Sequence, residues 1–170
     1  MRLLALALLG AVRVAAAAPT VVPDDDSRWQ IDLPDGWAPA ELPEVTEGKT
    51  LAAWSSDHGR LVVARMRGNT DAAYDPKSSY LAGLEEGVAK EAPGYRRLAA
   101  TQRKLGKKKK LPAYDLWFRT GTGVRGIRFI FMKNYTVLAS IDVPGIRKIG
   151  PESKKILESF GPVPATTPSP

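Results

Sequence analysis

Two periodicities divide the chain. In "RWQIDLP", residues 28–34, Trp29, Ile31 and Leu33 alternate with Gln30 and Asp32, the period of two that predicts a short half-buried strand stopped by Pro34 and the "DGW" turn. "KTLAAWSS" and "RLVVARMRG" read as two more strands joined by "DHG". Gly59 can take a positive φ there, so the pair is expected to form a hairpin. Then the period changes. Leu81, Leu84, Val88 and Ala92 recur every three or four residues, with Glu85, Glu86, Lys90 and Glu91 on the opposite side, which predicts an amphipathic helix. Asp75 supplies its N-cap, Pro76 its first turn, and Pro93-Gly94 its stop. Gly83 and Gly87 each cost roughly 1 kcal/mol of helix propensity relative to alanine, a loss expected where the helix must approach a neighbour closely.

Four strand-like runs follow. "YRRLAATQRKL" ends in the basic turn "GKKKK"; "PAYDLWFRT" places Tyr114, Leu116 and Phe118 on one face and Asp115, Trp117 and Arg119 on the other. "GIRFIFMK" and "YTVLASIDV" are joined by a turn at Lys133-Asn134 and are apolar on both faces: Ile127, Phe129 and Phe131 against Ile130 and Met132, Val137 and Ile141 against Leu138. A sheet covered on one side would not need that pattern. Helices are therefore expected on both faces, and "PESKKILESFGP" supplies the second, with Pro151 at its start and Ile156, Leu157 and Phe160 turned inward. The fold class is α+β, a three-layer α/β/α sandwich around an antiparallel sheet.

The chain has 170 residues, which suits one domain with a substantial core. Met1 and Arg2 precede an apolar run from Leu3 to Val12 and then "AAAAP", the order of a secretory signal, too short to span a bilayer as a helix. Cleavage is expected after Ala17, because Ala15 and Ala17 satisfy the small-x-small rule. Residues 18–27, "APTVVPDDDS", read as a linker, residues 28–162 as the folded domain, and residues 163–170 as a proline-rich disordered tail. With no cysteine, there is no disulfide framework, no thiolate metal site, no cysteine nucleophile and no lipid-bearing cysteine behind the signal. The formal charge is +7, and +5 once Arg2 and Arg13 leave with the signal.

The predicted order of strand, hairpin, helix, antiparallel strands and closing helix resembles the PsbP/Mog-like family, DcrB-type bacterial proteins included. The similarity rests on "WQIDLPDGW", the mid-chain amphipathic helix, "RFIFMKNYTVLASID" and the terminal "ILESFGP", and spans residues 28–162. It implies a binding or accessory domain, since relatives include a photosystem subunit, a partner of a small GTPase and bacterial envelope proteins. It implies no shared catalytic or metal residues and no cofactor.

Several motifs invite chemistry. Gly121, Gly123 and Gly126 stand in the G-x-G-x-x-G order of dinucleotide-binding loops. That fingerprint needs a helix after the loop, whose N-terminal donors hold the pyrophosphate. A strand is predicted here, so the glycines read as a flexible hairpin loop and no cofactor is expected. "SSDH" contains Ser56, Asp57 and the single histidine, His58, but a triad requires side chains converging across space, and a tight turn splays them toward water. One histidine without cysteine makes no zinc site. Asp24, Asp25 and Asp26 are read as a solvated stretch, not a calcium loop.

The densest cationic cluster is Arg103, Lys104, Lys107, Lys108, Lys109 and Lys110. It reads first as a solvated hairpin tip that also protects sheet edges, and second as a contact for an anionic surface. Nucleic acid is not expected, since no aromatic ladder accompanies the lysines. Of the four tryptophans, Trp29, Trp54 and Trp117 are expected in the core and Trp37, in a turn beside Gly36 and Pro39, partly exposed. The candidate partner-binding residues are thus Trp37 with the Arg103–Lys110 cluster. The function expected is a secreted or periplasmic, non-catalytic domain that binds an unidentified envelope macromolecule. The alternatives are a hydrolase using carboxylates such as Glu41, Glu44 or Asp115 in a cleft, and a tether to anionic surfaces through Lys107 to Lys110.

Overall fold

The computed structural model describes residues 19–25, 27–68, 79–106 and 110–164. In chain order the elements are β1 (Thr20–Pro23), β2 (Arg28–Ile31), β3 (Ala38–Pro39), β4 (Gly48–Ser56), β5 (Gly59–Arg67), α1 (Tyr80–Glu91), β6 (Arg96–Leu105), β7 (Leu111–Arg119), β8 (Gly123–Phe131), β9 (Tyr135–Pro144), α2 (Pro151–Ser159) and β10 (Gly161–Pro162). Seven strands form an antiparallel sheet in the order β3-β4-β5-β9-β8-β7-β6. The predicted strands from residue 48 onward all belong to it, and the expected β4–β5 hairpin pairs in register from Ser56↔Gly59.

Side chains on a strand alternate between faces, and the interior strands use both. Leu61, Val63, Ala113, Trp117, Ile130, Val137 and Ile141 face one side, where Ile156, Leu157 and Phe160 pack on them. Tyr114, Leu116, Phe118, Ile127, Phe129 and Phe131 face the other, beneath Leu81, Leu84 and Val88 of α1 and Ala92 just beyond it. The double-sided apolar pattern therefore meets a helix on each face, as expected for the sandwich.

One layer differs from the expectation. The α2 layer also holds a small sheet, ordered β1-β2-β10, which packs Val22, Trp29 and Ile31 into the same core as α2. Residues 18–27 are therefore not simply a linker, because Thr20 to Pro23 pair antiparallel with β2. Pro23 fits because β1 is an edge strand and leaves a donor unneeded. Nor is the acidic run solvated throughout: the Asp24 side chain is 0% exposed. It accepts hydrogen bonds from Arg65 Nη1 at 3.1 Å and Trp29 Nε1 at 3.3 Å, while the Arg65 guanidinium lies 3.9 Å from the centre of the Tyr135 ring. Asp25 remains exposed beside Lys49, and Asp26 lies outside the described residues. At the other end, Val163 still donates to the Arg28 carbonyl, one residue past the expected boundary. The expected signal segment, Asp75 and Pro76, expected to start the helix, and the tail from residue 165 lie outside the described residues; α1 itself begins at Tyr80, after Ser79.

The glycines also depart from expectation. A Cβ added at Gly83 or Gly87 would meet nothing within 4 Å, so these positions face open space and their propensity cost is not offset by close packing. Gly59 takes no positive φ; a Cβ there would fall 2.3 Å from the Asp142 carbonyl oxygen. Gly126 lies inside β8, opposite Trp117, whose ring would sit 2.5 Å from an added Cβ. The tryptophan therefore lies flat on bare backbone.

Across the sheet's middle runs a buried ion pair. Arg128, 1% exposed, donates from Nε and Nη2 to the two carboxylate oxygens of Asp115 at 2.7 Å each, and from Nη1 to the carbonyls of Glu158 at 2.8 Å and Phe160 at 3.0 Å. Arg103 completes the cluster, with Nε 2.8 Å from Asp115 Oδ2 and Nη2 2.8 Å from Glu158 Oε1.

In urea unfolding, Gly83→Ala and Gly87→Ala are each expected to raise stability by about 0.5–1 kcal/mol, whereas Gly126→Ala should lower it by about 1–3 kcal/mol. Asp115→Ala, which strands the Arg128 charge in the interior, should cost about 3–5 kcal/mol. An unchanged midpoint in Asp115→Ala would show that Arg128 finds water.

Candidate functional site

Antiparallel pairing gathers the turns at the two ends of the main sheet, and the candidate residues divide between them. One end holds the β4–β5 turn, the β7–β8 turn and the exit of β9. Trp37 is here too, because Ala38 pairs with Ser55 near the end of β4. Its ring is half-buried against the main core and its Nε1 is buried without a hydrogen-bond partner. The expected partial exposure is present, but the polar edge of the indole points inward.

A cleft of about 290 Å³ opens at this end between Asp57, Arg60, Thr120, Thr122, Arg125 and Asp142. Its cations are already engaged. Arg125 Nε donates to Asp142 Oδ1 at 2.5 Å, and Arg60 Nη2 donates to the Glu41 carbonyl at 2.9 Å. The glycine motif borders the same cleft and is followed by β8, a strand, so it lacks the helix N-terminus that would hold a pyrophosphate. It is also less loop-like than expected, since Gly123 and Gly126 are strand residues and only Gly121 lies in the turn, donating to the Pro93 carbonyl at 2.8 Å. His58 sits exposed in a two-residue turn, its backbone N–H donating to Ser56 Oγ at 3.1 Å.

The opposite end collects the β6–β7 turn, the β8–β9 turn, the start of β4 and the end of β5. Lys104 and Lys110 are exposed here and make no ion pair among the described residues; Lys107, Lys108 and Lys109 lie outside them. Arg103, expected as part of the same contact, instead bonds Asp115 and Glu158 and holds α2 to the sheet. Between α1 and the β6–β7 hairpin lies a second cleft of about 290 Å³, where Leu81, Pro112 and Phe131 meet Gln102, Arg103 and Lys104. Trp37 and the lysines therefore cannot belong to one site, being at opposite ends of the strands.

The wall of that cleft is set by α1, which a polar cluster pins to the sheet. Tyr95 donates to Glu85 Oε1 at 2.5 Å, Tyr114 to Oε2 at 3.3 Å and Arg97 Nη1 to Oε2 at 3.2 Å. Helical periodicity put Glu85 on the solvent side; it is an inward acceptor for two phenols. Only the polar tips of two apolar-face tyrosines could have hinted at it.

The carboxylates considered for hydrolysis are not brought together. Asp115 is 4% exposed and bonded to Arg128. The Glu41 backbone is tied to Arg60 on β5, three strand spacings or about 14 Å from β7, and Glu44 is exposed in the same loop. Among the described residues no three His, Cys, Asp or Glu side chains cluster closely enough to hold a metal ion.

This architecture has a solved counterpart. The structure of CyanoP, the cyanobacterial PsbP of Synechocystis sp. PCC 6803, matches with a TM-score of 0.59 over 93% of this chain and 99% of that one, at 12% identity. The fold is PsbP-like. At that identity the likeness is one of fold alone. A Pseudomonas aeruginosa protein of unknown function, PA94, aligns at 14% identity over 76% of this chain and 85% of its own, with a TM-score of 0.37. No family model matches the sequence, and no curated protein does.

The phenols beneath α1 generate a pH dependence. Burial first, and then the hydrogen bond to Glu85, hold Tyr95 well above the ordinary value of 10.0, and burial with the negative charge of Glu85 pushes Tyr114 up to about 12. Both values are raised on folding, so the stabilisation is fully present below pH 10 and is lost as the pH rises through about 12. In an alkaline titration followed at the phenolate band, two of the five tyrosines should lag and ionise together with loss of helical signal. In Glu85→Gln the lag should shorten. A single transition of all tyrosines near pH 10 would contradict this.

Proposed function

We propose that this chain is an exported, non-catalytic binding domain of the DcrB/Mog type, acting in the bacterial cell envelope as an accessory to another macromolecule. The observation that carries this reading is that both faces of the PsbP-like sheet are filled by the chain's own layers. What is left for a partner is strand ends, turns and shallow clefts. The apolar segment ahead of "AAAAP" supports export, and no described helix is long and apolar enough to cross a membrane.

A second reading, contact with an anionic surface through the Lys107–Lys110 tip, is favoured by a specific observation: Lys104 and Lys110 are exposed beside the strand ends and have no ion-pair partner among the described residues. The hydrolase reading has no such support, since its best-placed acid, Asp115, is bonded to two arginines.

Expressed from Met1 in a bacterial host, the protein should appear in the periplasmic or secreted fraction, shortened to begin at Ala18. Cross-linking of that mature form in envelope extract should yield a specific partner that is lost in Lys104→Glu/Lys110→Glu. Retention of the full-length chain in the cytoplasm would remove the envelope reading. Turnover of an ester, peptide or glycan that disappears in His58→Ala or Glu41→Gln would replace it with the enzyme.

A further inference from the structure

We propose that the strand-end cations of the main sheet, Lys49, Arg67, Lys104, Lys110 and Lys133, dock on an anionic lipid membrane. This rests on the anionic-contact reading above and extends it to residues far from the turn in sequence. Because neighbouring strands run antiparallel, the start of β4, the end of β5 and the β8–β9 turn all share the end that carries the β6–β7 turn. They place Lys49, Arg67 and Lys133 on it, all exposed, alongside Lys104 and Lys110. From β4 to β6 is five strand spacings, about 24 Å, so the cations form a row across the sheet rather than a cluster at one corner.

Among the described residues the opposing charge at this end is small. Asp24 is buried against Arg65. Asp25 lies 3.5 Å from Lys49 with both side chains mostly exposed, and exposed Glu47 is the other acid nearby among the described residues. Arg67, Lys133, Lys104 and Lys110 have no ion-pair partner among the described residues. At the far end Arg125 and Arg60 are each bonded within the chain, while Arg96, Arg147 and Lys148 are exposed without an ion pair among the described residues and serve as the comparison set.

The chemistry favours a lipid surface over a shaped partner. The cations are mainly lysines, flexible point charges without the bidentate geometry that selects one carboxylate or phosphate. The nearby depression, about 270 Å³ between Asp25, Lys49, Arg67 and Tyr135, is rimmed by these charges rather than enclosed. Attraction to an anionic leaflet acts over roughly 8 Å at physiological salt, which demands that the charges reach a common level. The sheet's twist fans the strand ends, and the long lysine and arginine stems are what let their charges reach one plane; each cation near the surface adds about fivefold in affinity.

The test is sedimentation of the mature protein with vesicles of phosphatidylcholine mixed with phosphatidylglycerol, against pure phosphatidylcholine, at low and high salt. Binding should require the anionic lipid and vanish at high salt. Lys49→Gln/Arg67→Gln/Lys133→Gln, which leaves the lysine turn intact, should weaken it roughly a hundredfold, with an unchanged far-UV spectrum. Arg96→Gln/Arg147→Gln/Lys148→Gln, removing three cations from the opposite end, should weaken it far less. If neutralising Lys107 through Lys110 abolishes binding while the strand-end triple does not, the tip reading stands and the row is wrong. Equal losses in both triples would mean that only net charge matters, and would overturn the proposal. Absence of binding to the anionic vesicles would overturn it together with the lipid form of the tip reading, whereas retention on polyglutamate alone would assign the charge to an acidic polymer instead.

Discussion

A single guanidinium determines how the layers meet. Arg128 projects from β8 into the interior, where an unpaired charge is prohibitively unfavourable. Its bonds to both oxygens of Asp115 fix β7 beside β8, and its bonds to the carbonyls of Glu158 and Phe160 fix the end of α2 above them. Those carbonyls belong to the helix terminus that lacks intrahelical donors and carries partial negative charge, so the cation answers two needs at once. The chain then passes Phe160, whose ring lies 5.9 Å from that of Trp29, into β10 and its pairing with β2. The main sheet, α2 and the small sheet therefore meet around one satisfied buried charge. A hydrophobic isostere could match its stability, but it could not specify where the helix must stop.

With the layers fixed in this way, little interior is left for chemistry. Among the described residues the carboxylates drawn inward serve neighbours: Asp24 holds Arg65 and Trp29, Asp115 holds Arg128, Glu85 holds two tyrosines. On the proposed binding reading, recognition falls to the periphery, where the side chains have solvent on one side.

The parts legible in the sequence were those governed by periodicity. Ile127, Phe129 and Phe131 against Ile130 required two covered faces, and Ile156, Leu157 and Phe160 required an inward stripe; both hold. Missed were features that depend on distant residues. "TVVP" is too short to show a strand's period, and its pairing with β2 is visible only when Val22 finds the core and Asp24 finds Arg65, 41 positions away. Gly83 and Gly87 were read as packing sites because a helix glycine invites that reason, yet open space surrounds them. Gly126 was read as loop because of its motif, although the ring of Trp117 is what requires it. Arg103 was grouped with the lysines by proximity in the chain. Alternation along β6 separates them: Arg103 faces the α2 side with Ala113 as its partner, and Lys104 faces the other with Pro112.

That same alternation explains how a basic rim coexists with a stable sheet. Cations in the middle of a strand must either pair, as Arg128 and Arg125 do, or be solvated on an edge, as along β6. Cations at strand ends need neither, since water reaches them without opening the core. Repulsion between neighbours in the row is moderated by spacing: adjacent strand ends lie about 5 Å apart, but long lysine and arginine stems can splay farther. At the Trp37 end Arg125 pairs with Asp142 and Arg60 bonds the Glu41 carbonyl, while Arg96, Arg147 and Lys148 stay exposed without an ion pair among the described residues, so solvated cations stand at both ends of the strands. Docked as proposed, the domain would turn the ends of β4, β5 and β6 that carry Lys49, Arg67 and Lys104 toward the anionic surface and the cleft beside Thr120 and Thr122 away from it.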